Sequence, residues 1–270
     1  MGPGSMTEES KFDSADTLGR HYPNPTIVEA LCEVHFIPGQ GAGWRASRPG
    51  PLLHALGDEY PELQPVLETG IHFNLGPGAP PGVQQFIQPE ANRVRLVSED
   101  GHRMVQAAGT VFVFNVIGKY PGWEDMKSAF FAAWKRAMPV FGAETVGRVG
   151  IRFINRIPYS ADNDVAGNWL RPSTHTPHAL IASSKPVMMR LETGDTESCR
   201  TNITVADDPP SEDATFGAFI FDIDCIWQGP EALDPNNLEP TVESLHRVVK
   251  SIFKSAMSDK LQAHLEGSKT

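Results

Sequence analysis

The chain has few cysteines and no long apolar run, and both features restrict the cellular compartment in which we expect it. Its three cysteines, Cys32, Cys199 and Cys225, form no Cys-x-x-Cys pair and follow no secretory signal. Such a sparse, odd set is typical of reduced thiols in the cytoplasm. No apolar run reaches the roughly 18 residues that a membrane-spanning helix needs. We therefore expect a cytoplasmic protein that does not enter the membrane.

Positive charge is also scarce. The chain has 23 Lys and Arg residues against 33 Asp and Glu residues, so its formal net charge is -10. A nucleic-acid binder needs a basic face that displaces counterions from phosphates, and an anionic membrane surface attracts basic segments in the same way. Neither partner is expected. A basic protein or peptide suits this charge through long-range attraction, although the charge also serves solubility alone.

Motifs for common chemistries are missing as well. The glycine-rich run 75–82 contains Pro80 and Pro81, which a dinucleotide-binding loop does not allow, and there is no phosphate-binding loop or nucleophile elbow. Cys32 and His35 are close in sequence, but strand alternation places them on opposite faces. We therefore expect no cofactor and no catalytic residue.

What is present begins with a strand within residues 23–38, bounded by prolines at both ends. Its alternating pattern gives it one packed face and one mixed polar face. The packed face is expected to carry Val28, Ala30, Cys32, Val34 and Phe36. The other face is expected to carry Glu29, Leu31, Glu33 and His35.

The rest of the chain alternates strand patterns with helical ones. Asp100-Gly101 predicts a hairpin turn, and residues 110–117 predict a buried central strand. Residues 123–141 carry apolar side chains at helical spacing, as does a closing segment from Leu245 to Leu265. Between these helices we predict strands over 146–158 and 216–227 and a hairpin around Gly194-Asp195.

These patterns predict an α+β fold with one antiparallel sheet built from two pseudo-repeats. Each repeat would contain a strand, a short helix, several strands and a long helix, and the two long amphipathic helices would cover one face of the sheet. We assign residues 1–20 to an expression scar and a disordered N-terminus, and residues 21–267 to a single domain. The pseudo-repeats would span 21–142 and 143–267.

Strand alternation also groups polar residues without a structure. If the apolar sides meet the helices, charged residues from three strands share the opposite face. They are Glu29, Glu33, His35, Arg152, Arg156, Asp222 and Asp224. This pattern indicates either a solvated face with cross-strand ion pairs or a docking surface for a polar or peptide ligand.

Two further roles for the same face follow from its composition. Glu33, His35, Asp222 and Asp224 are residue types that ligate divalent metals, but Glu-x-His spacing is common by chance and we predict no metal site. Apolar side chains at Leu31, Ile220 and Ile226 would allow this face to be buried in a symmetric homodimer.

Several runs along the chain together resemble a known protein family. They are Asn24-Pro25-Thr26-Ile27-Val28-Glu29-Ala30, residues 98–101, Asn115-Val116-Ile117-Gly118-Lys119-Tyr120-Pro121-Gly122-Trp123, residues 150–157, Asp222-Ile223-Asp224 and residues 258–261. In these runs the chain resembles a sporadically distributed, largely uncharacterised family of bacterial and archaeal proteins. His35 departs from it, because the family usually carries a basic residue there. Some members look like accessory proteins of pathways that modify ribosomally made peptides, which implies recognition of a precursor peptide.

Three functions remain open from the sequence. The leading hypothesis is a non-catalytic peptide-binding accessory protein that guides a precursor peptide to its modifying enzymes. The second is an immunity or antitoxin-like protein that covers a basic protein partner, which the acidic balance favours. The third is a metal-dependent enzyme that uses Glu33, His35, Asp222 and Asp224.

Overall fold

The computed structural model describes residues 22–39, 49–73, 83–160, 166–177, 188–196, 199–208 and 216–267. The side chains of residues 65–92, and of a few residues at other strand ends, are outside this description. The predicted expression scar and disordered N-terminus over residues 1–20 and the glycine-rich run 75–82 lie outside the described residues.

Five helices and nine strands make up the described part. The helices are α1 (Pro49–Leu56), α2 (Trp123–Phe141), α3 (Ala166–Trp169), α4 (Glu239–Ala256) and α5 (Asp259–Leu265). The strands are β1 (Ile27–Pro38), β2 (Glu62–Phe73), β3 (Val83–Val97), β4 (Arg103–Ala108), β5 (Val111–Ile117), β6 (Ala143–Ser160), β7 (Met188–Thr196), β8 (Cys199–Asp208) and β9 (Phe216–Trp227).

All nine described strands belong to one antiparallel sheet with the order β2-β3-β4-β5-β1-β6-β9-β8-β7. The central pair is β1 and β6, which start the two halves of the chain. On one side of this pair the sheet continues with β5, β4, β3 and β2, and on the other side it continues with β9, β8 and β7. The first half contributes one strand more than the second. Whether the units 21–142 and 143–267 arose by duplication stays a prediction.

The hydrophobic core lies on the sheet face that the helices cover. Phe36 of β1 packs against Trp134 and Phe141 of α2, with ring centroids 5.9 and 4.9 Å apart. On the other half, Phe221 of β9 stacks on Phe253 of α4 at 6.1 Å. Each such aromatic side chain contributes about 1.5–3 kcal/mol through burial, so this layer fixes which face of each strand is turned away from the core.

The predicted fold class is wrong, because long amphipathic helices are not a main part of the architecture. The sheet dominates: β6 has 18 residues and β3 has 15, and a strand of 18 residues extends about 60 Å. The longest described helix, α2, has 19 residues and extends only about 29 Å. Within the described ranges, no helix is long and apolar enough to cross a bilayer.

The closing segment predicted as one helix is in fact broken into α4 and α5. Met257 is extended, with φ -73° and ψ 123°, and it forms an isolated β-bridge with Leu170. Ser258 then caps α5, since its side-chain oxygen accepts a hydrogen bond from the Leu261 N–H at 3.2 Å. The apolar spacing continues through this break, which is why the sequence pattern did not reveal it.

One residue of β1 lies on the wrong face for the predicted alternation. Val28 was expected in the core, but it is 36% exposed. The pairing of β1 with β6 shifts register between Ile27 and Glu29, so Val28 occupies an irregularity of the bulge type. From Glu29 onwards the alternation holds, and Ala30, Cys32 and Val34 are fully buried.

The predicted hairpin at Asp100-Gly101 is confirmed. Gly101 has a φ of +71°, which favours glycine. The Ser98 N–H donates to the Arg103 carbonyl at 2.9 Å, which closes the turn between β3 and β4.

Candidate functional site: the charged face of the sheet

The structure places all seven predicted site residues on the sheet face that is turned away from the helices. They alternate along β1, β6 and β9 with buried core residues such as Cys32, Ile151 and Ile223. Arg148 of β6 joins them. We use the name charged face for these eight residues, which are Glu29, Glu33, His35, Arg148, Arg152, Arg156, Asp222 and Asp224.

A bidentate ion pair occupies the middle of the charged face. Arg152 donates from Nε to Asp222 Oδ1 at 2.8 Å and from Nη2 to Asp222 Oδ2 at 2.7 Å. The Asp222 side chain is only 9% exposed, whereas that of Arg152 is 42% exposed. The hydrogen bonds to Asp222 raise the pKa of Arg152. Because both carboxylate oxygens are engaged, Asp222 is already neutralised within the protein.

Glu33, His35 and Arg148 form a second cluster. The Glu33 Oε1 atom lies 2.6 Å from His35 Nε2 and 2.7 Å from Arg148 Nη1. Burial raises the pKa of Glu33, but the hydrogen bond from His35 and the charge of Arg148 outweigh it, so the pKa lies below its ordinary value. Arg148 was not among the predicted site residues, although its alternation with Arg152 along the strand was a usable signal.

An amide chain extends the polar contacts from β1 towards β4. Gln106 donates to Asn115 Oδ1 at 3.2 Å, and Asn115 donates to Glu29 Oε1 at 2.6 Å. Asn115 is buried, so it holds Glu29 in a fixed position beside Leu31. Asn115 lies in a run of apolar residues, and the sequence pattern therefore predicted a covered strand rather than a polar contact there.

Asp224 differs from Asp222 and Glu33 because it lacks a full ionic partner. Burial raises its pKa, and the hydrogen bond from the Asn202 amide to Oδ2 at 3.2 Å, together with the charges of Arg152 and Arg148, only partly offsets this. Among the described residues Asp224 forms no salt bridge. The Asn202 Oδ1 atom is itself buried without a hydrogen-bond partner. Asp224 and the Asn202 oxygen can therefore each accept a further hydrogen bond. Leaving a buried acceptor without a donor costs free energy.

Arg156 lies at the outer part of the charged face. Its Nε donates to Asp208 Oδ2 at 2.6 Å, and the two side chains are 46% and 40% exposed. Exposed pairs of this kind contribute about 0–1 kcal/mol. The pair therefore resembles a solvated cross-strand contact more than a binding group.

The structure does not bring together the three acids and one histidine that were considered as metal ligands. Glu33 and His35 are in contact, but Asp222 is engaged by Arg152. In the described ranges no three His, Cys, Asp or Glu side chains are grouped closely enough to hold a metal ion.

The chain was also compared with known proteins. Neither a family model nor a curated protein sequence matches it.

Proposed function

We propose that the protein is a non-catalytic accessory protein that binds a ribosomally made precursor peptide on its charged face and guides its modification. The observation that carries this proposal is the Asp224 carboxylate, which is partly exposed and accepts a hydrogen bond from the Asn202 amide. Asp224 lies on a rigid strand, β9, and forms no salt bridge among the described residues, although the charges of Arg152 and Arg148 partly lower its pKa. The family resemblance supports a peptide as the ligand, and the proposal places the protein in the cytoplasm, where precursor peptides are made.

The chemistry of this position favours a basic group of the peptide. A Lys ammonium, an Arg guanidinium or an N-terminal amine would donate to the partly exposed Asp224 carboxylate, forming charge-assisted hydrogen bonds. Such a donor would offset the hydration that Asp224 loses by burial. The net charge of -10 would attract the same ligand at long range.

Arg152 adds a second requirement. Its side chain is 42% exposed, and it lies directly opposite Asp224 in the pairing of β6 with β9. It would repel a uniformly basic segment and favour a peptide in which an acidic residue flanks the basic one. A peptide lying across the strands fits this pattern better than strand addition at a sheet edge, because the Asp224 carboxylate is on the face.

The proposal is tested with overlapping 15-residue synthetic peptides that cover the short open reading frames beside the gene. Calorimetric titration should find at least one binder with a Kd below about 100 µM. Asp224→Asn should weaken its binding at least tenfold, because the amide presents a donor and no charge. Asp208→Asn, which alters the exposed rim pair, is the matched control and should change the Kd less than twofold.

Two results would count against the proposal. Absence of binding at about 100 µM for every peptide would remove it, and unchanged binding by Asp224→Asn would remove the site. A folded basic protein is the alternative partner, as in an immunity or antitoxin-like pair, and it uses the same acidic acceptors. Rescue of a toxic neighbouring gene product by co-expression, without any peptide binding, would favour that alternative.

A further inference from the structure

A cavity of about 110 Å³ lies on the helix side of the sheet. It opens between α4 and the start of β1, opposite the charged face. Aromatic and apolar side chains form most of its wall, and two basic residues of α4 border it. The residues that matter here are Tyr120, Trp123, Phe153, His246, Val249 and Lys250.

The walls of the cavity are held in place by contacts around it. Trp123 stacks on His246 with ring centroids 3.8 Å apart and an interplanar angle of 10°. The indole Nε1 of Trp123 donates to Glu243 Oε1 at 3.2 Å, so the polar edge of this ring is engaged outside the cavity. Tyr120 meets Phe153 edge to face at 5.7 Å and 77°. These contacts leave aromatic surface turned towards the interior of the cavity.

Two buried polar residues at the cavity, Thr26 and Asn155, have hydrogen-bond partners within the protein. Thr26 donates to Asn155 Oδ1 at 3.0 Å, and Asn155 donates to the Phe221 carbonyl at 3.2 Å. Both residues are buried. With these groups engaged, the bottom of the cavity favours an apolar group over a polar one.

Lys250 supplies an ammonium group at the edge of the cavity. It lies one turn after His246, on the same side of α4, and it forms no salt bridge among the described residues. Burial, followed by the charge of Lys254, lowers the pKa of Lys250 to about 8. Burial lowers the pKa of His246 to about 4, so at neutral pH this histidine is uncharged and Lys250 is the cation of the cavity.

We propose that this cavity binds a small aromatic carboxylate, with the ring among the aromatic walls and the carboxylate on the Lys250 ammonium. A closed apolar cavity of about 150 Å³ holds benzene. This cavity is smaller, about 110 Å³, but it is open at its mouth, so it admits a single ring whose substituent extends outwards. Aromatic walls favour a flat ring over a branched aliphatic group. An ammonium that forms no salt bridge among the described residues favours a carboxylate over a neutral headgroup.

Calorimetric titration of the full chain with three probes tests this assignment. Phenylacetate should bind with a Kd below about 1 mM. 2-Phenylacetamide, which keeps the ring and loses the charge, should bind at least tenfold more weakly. Acetate, which keeps the charge and loses the ring, should give no saturable heat. Absence of phenylacetate binding at about 10 mM, tenfold above the expected upper limit of the Kd, would overturn the proposal.

Variants then separate the ring site from the charge. Lys250→Gln should weaken phenylacetate binding at least tenfold and leave 2-phenylacetamide unchanged, whereas Lys254→Gln, one turn further along α4, should change neither by more than twofold. Equal binding of phenylacetate by Lys250→Gln and the wild type would overturn the assignment. Val249→Phe should fill the cavity and abolish both ligands. If that variant does not fold, the comparison of Lys250→Gln with Lys254→Gln still decides the outcome.

The proposal does not depend on peptide binding, because the cavity and the charged face are on opposite sides of the sheet. Asp224→Asn should leave phenylacetate binding unchanged. Loss of phenylacetate binding in that variant would contradict a site confined to the cavity.

Discussion

Arg152 directs its guanidinium diagonally to Asp222, although the residue directly opposite it in the sheet is Asp224. Asp222 and Asp224 are two residues apart on β9 and share a face, yet only the first is neutralised. Asp224 receives a single amide hydrogen bond from Asn202. The same strand therefore presents one acid that stabilises the protein and one whose charge is poorly compensated.

The first prediction concerns the stability of Asp224→Asn. Burial raises the pKa of Asp224 in the folded protein above its unfolded value, so the folded state binds this proton more tightly. Stability then falls as the pH rises through the window between the two pKa values, and the ionised form is unfavourable above it. We expect the variant to be more stable than the wild type at pH 7 and close to it at pH 3.5. Denaturant titrations at both pH values measure the difference.

This result would separate a binding role from a structural one. A substitution that raises stability while it weakens peptide binding identifies a residue kept for function. Asp208→Asn serves as the control and should lower stability by no more than about 1 kcal/mol, since it breaks an exposed pair. Lower stability of Asp224→Asn at pH 7 would mean that Asp224 has a stabilising partner.

The faces of the strands were predictable from sequence, and the partners on those faces were not. A period of two residues assigns Glu33, Arg152 and Asp222 to one face, and the structure places them there. It does not say whether Arg152 reaches straight across to Asp224 or diagonally to Asp222, because both are within range of a long side chain. Which of the two acids Arg152 contacts depends on the twist of the sheet and on the side-chain rotamers.

Other features escaped the sequence because they arise from tertiary packing. The bulge at Val28 depends on the register of β1 against β6, which no local pattern encodes. Asn202 belongs to an ordinary strand pattern, and its orphaned oxygen is visible only beside Asp224. The cavity under α4 depends on how Trp123 and His246 stack across two helices. These are long-range contacts, whereas hydrophobic periodicity is a local signal.

The second prediction concerns the acid sensitivity of the Glu33 cluster. The pKa of Glu33 is lowered in the folded protein, because the contacts with His35 and Arg148 outweigh the effect of burial. This carboxylate therefore contributes stability above its unfolded pKa and loses it as the pH falls through its folded pKa. Glu33→Gln should be less stable than the wild type at pH 7 by about 1.5–3 kcal/mol, the usual contribution of hydrogen bonds to charged groups.

The difference between Glu33→Gln and the wild type should shrink as the pH falls below about 4.5. Urea titrations at pH 7, 5 and 3.5 measure it. Glu99→Gln, in the exposed turn between β3 and β4, is the control and should follow the wild type at every pH. A constant difference across the pH range would contradict an ionic role for Glu33.

The third prediction concerns His246 at the cavity. Its folded pKa of about 4 lies below the ordinary value of 6.5 because of burial, so the unfolded chain binds this proton more readily. Stability should fall as the pH drops from 6.5 towards 4, with a slope of at most about 1.4 kcal/mol per pH unit. His246→Phe keeps a ring against Trp123 and removes the titration, so its stability should depend less on pH in this window. Thermal unfolding from pH 7 to 4 compares the two proteins, and parallel curves would show that His246 does not titrate on unfolding.

The last prediction concerns the break between α4 and α5, where the sequence pattern and the structure disagree. Ser258 accepts a hydrogen bond from the Leu261 N–H at 3.2 Å and donates to the Asn168 carbonyl at 2.9 Å. It thus caps α5 and ties it to α3. Ser258→Ala removes both bonds and should cost about 1–2 kcal/mol of unfolding free energy, within the range for lost N-caps. Ser251→Ala, at an exposed position inside α4, should be neutral or slightly stabilising, because alanine has the higher helix propensity. If α4 and α5 were one continuous helix in solution, Ser258→Ala would behave like Ser251→Ala, and urea titration of the two variants distinguishes these outcomes.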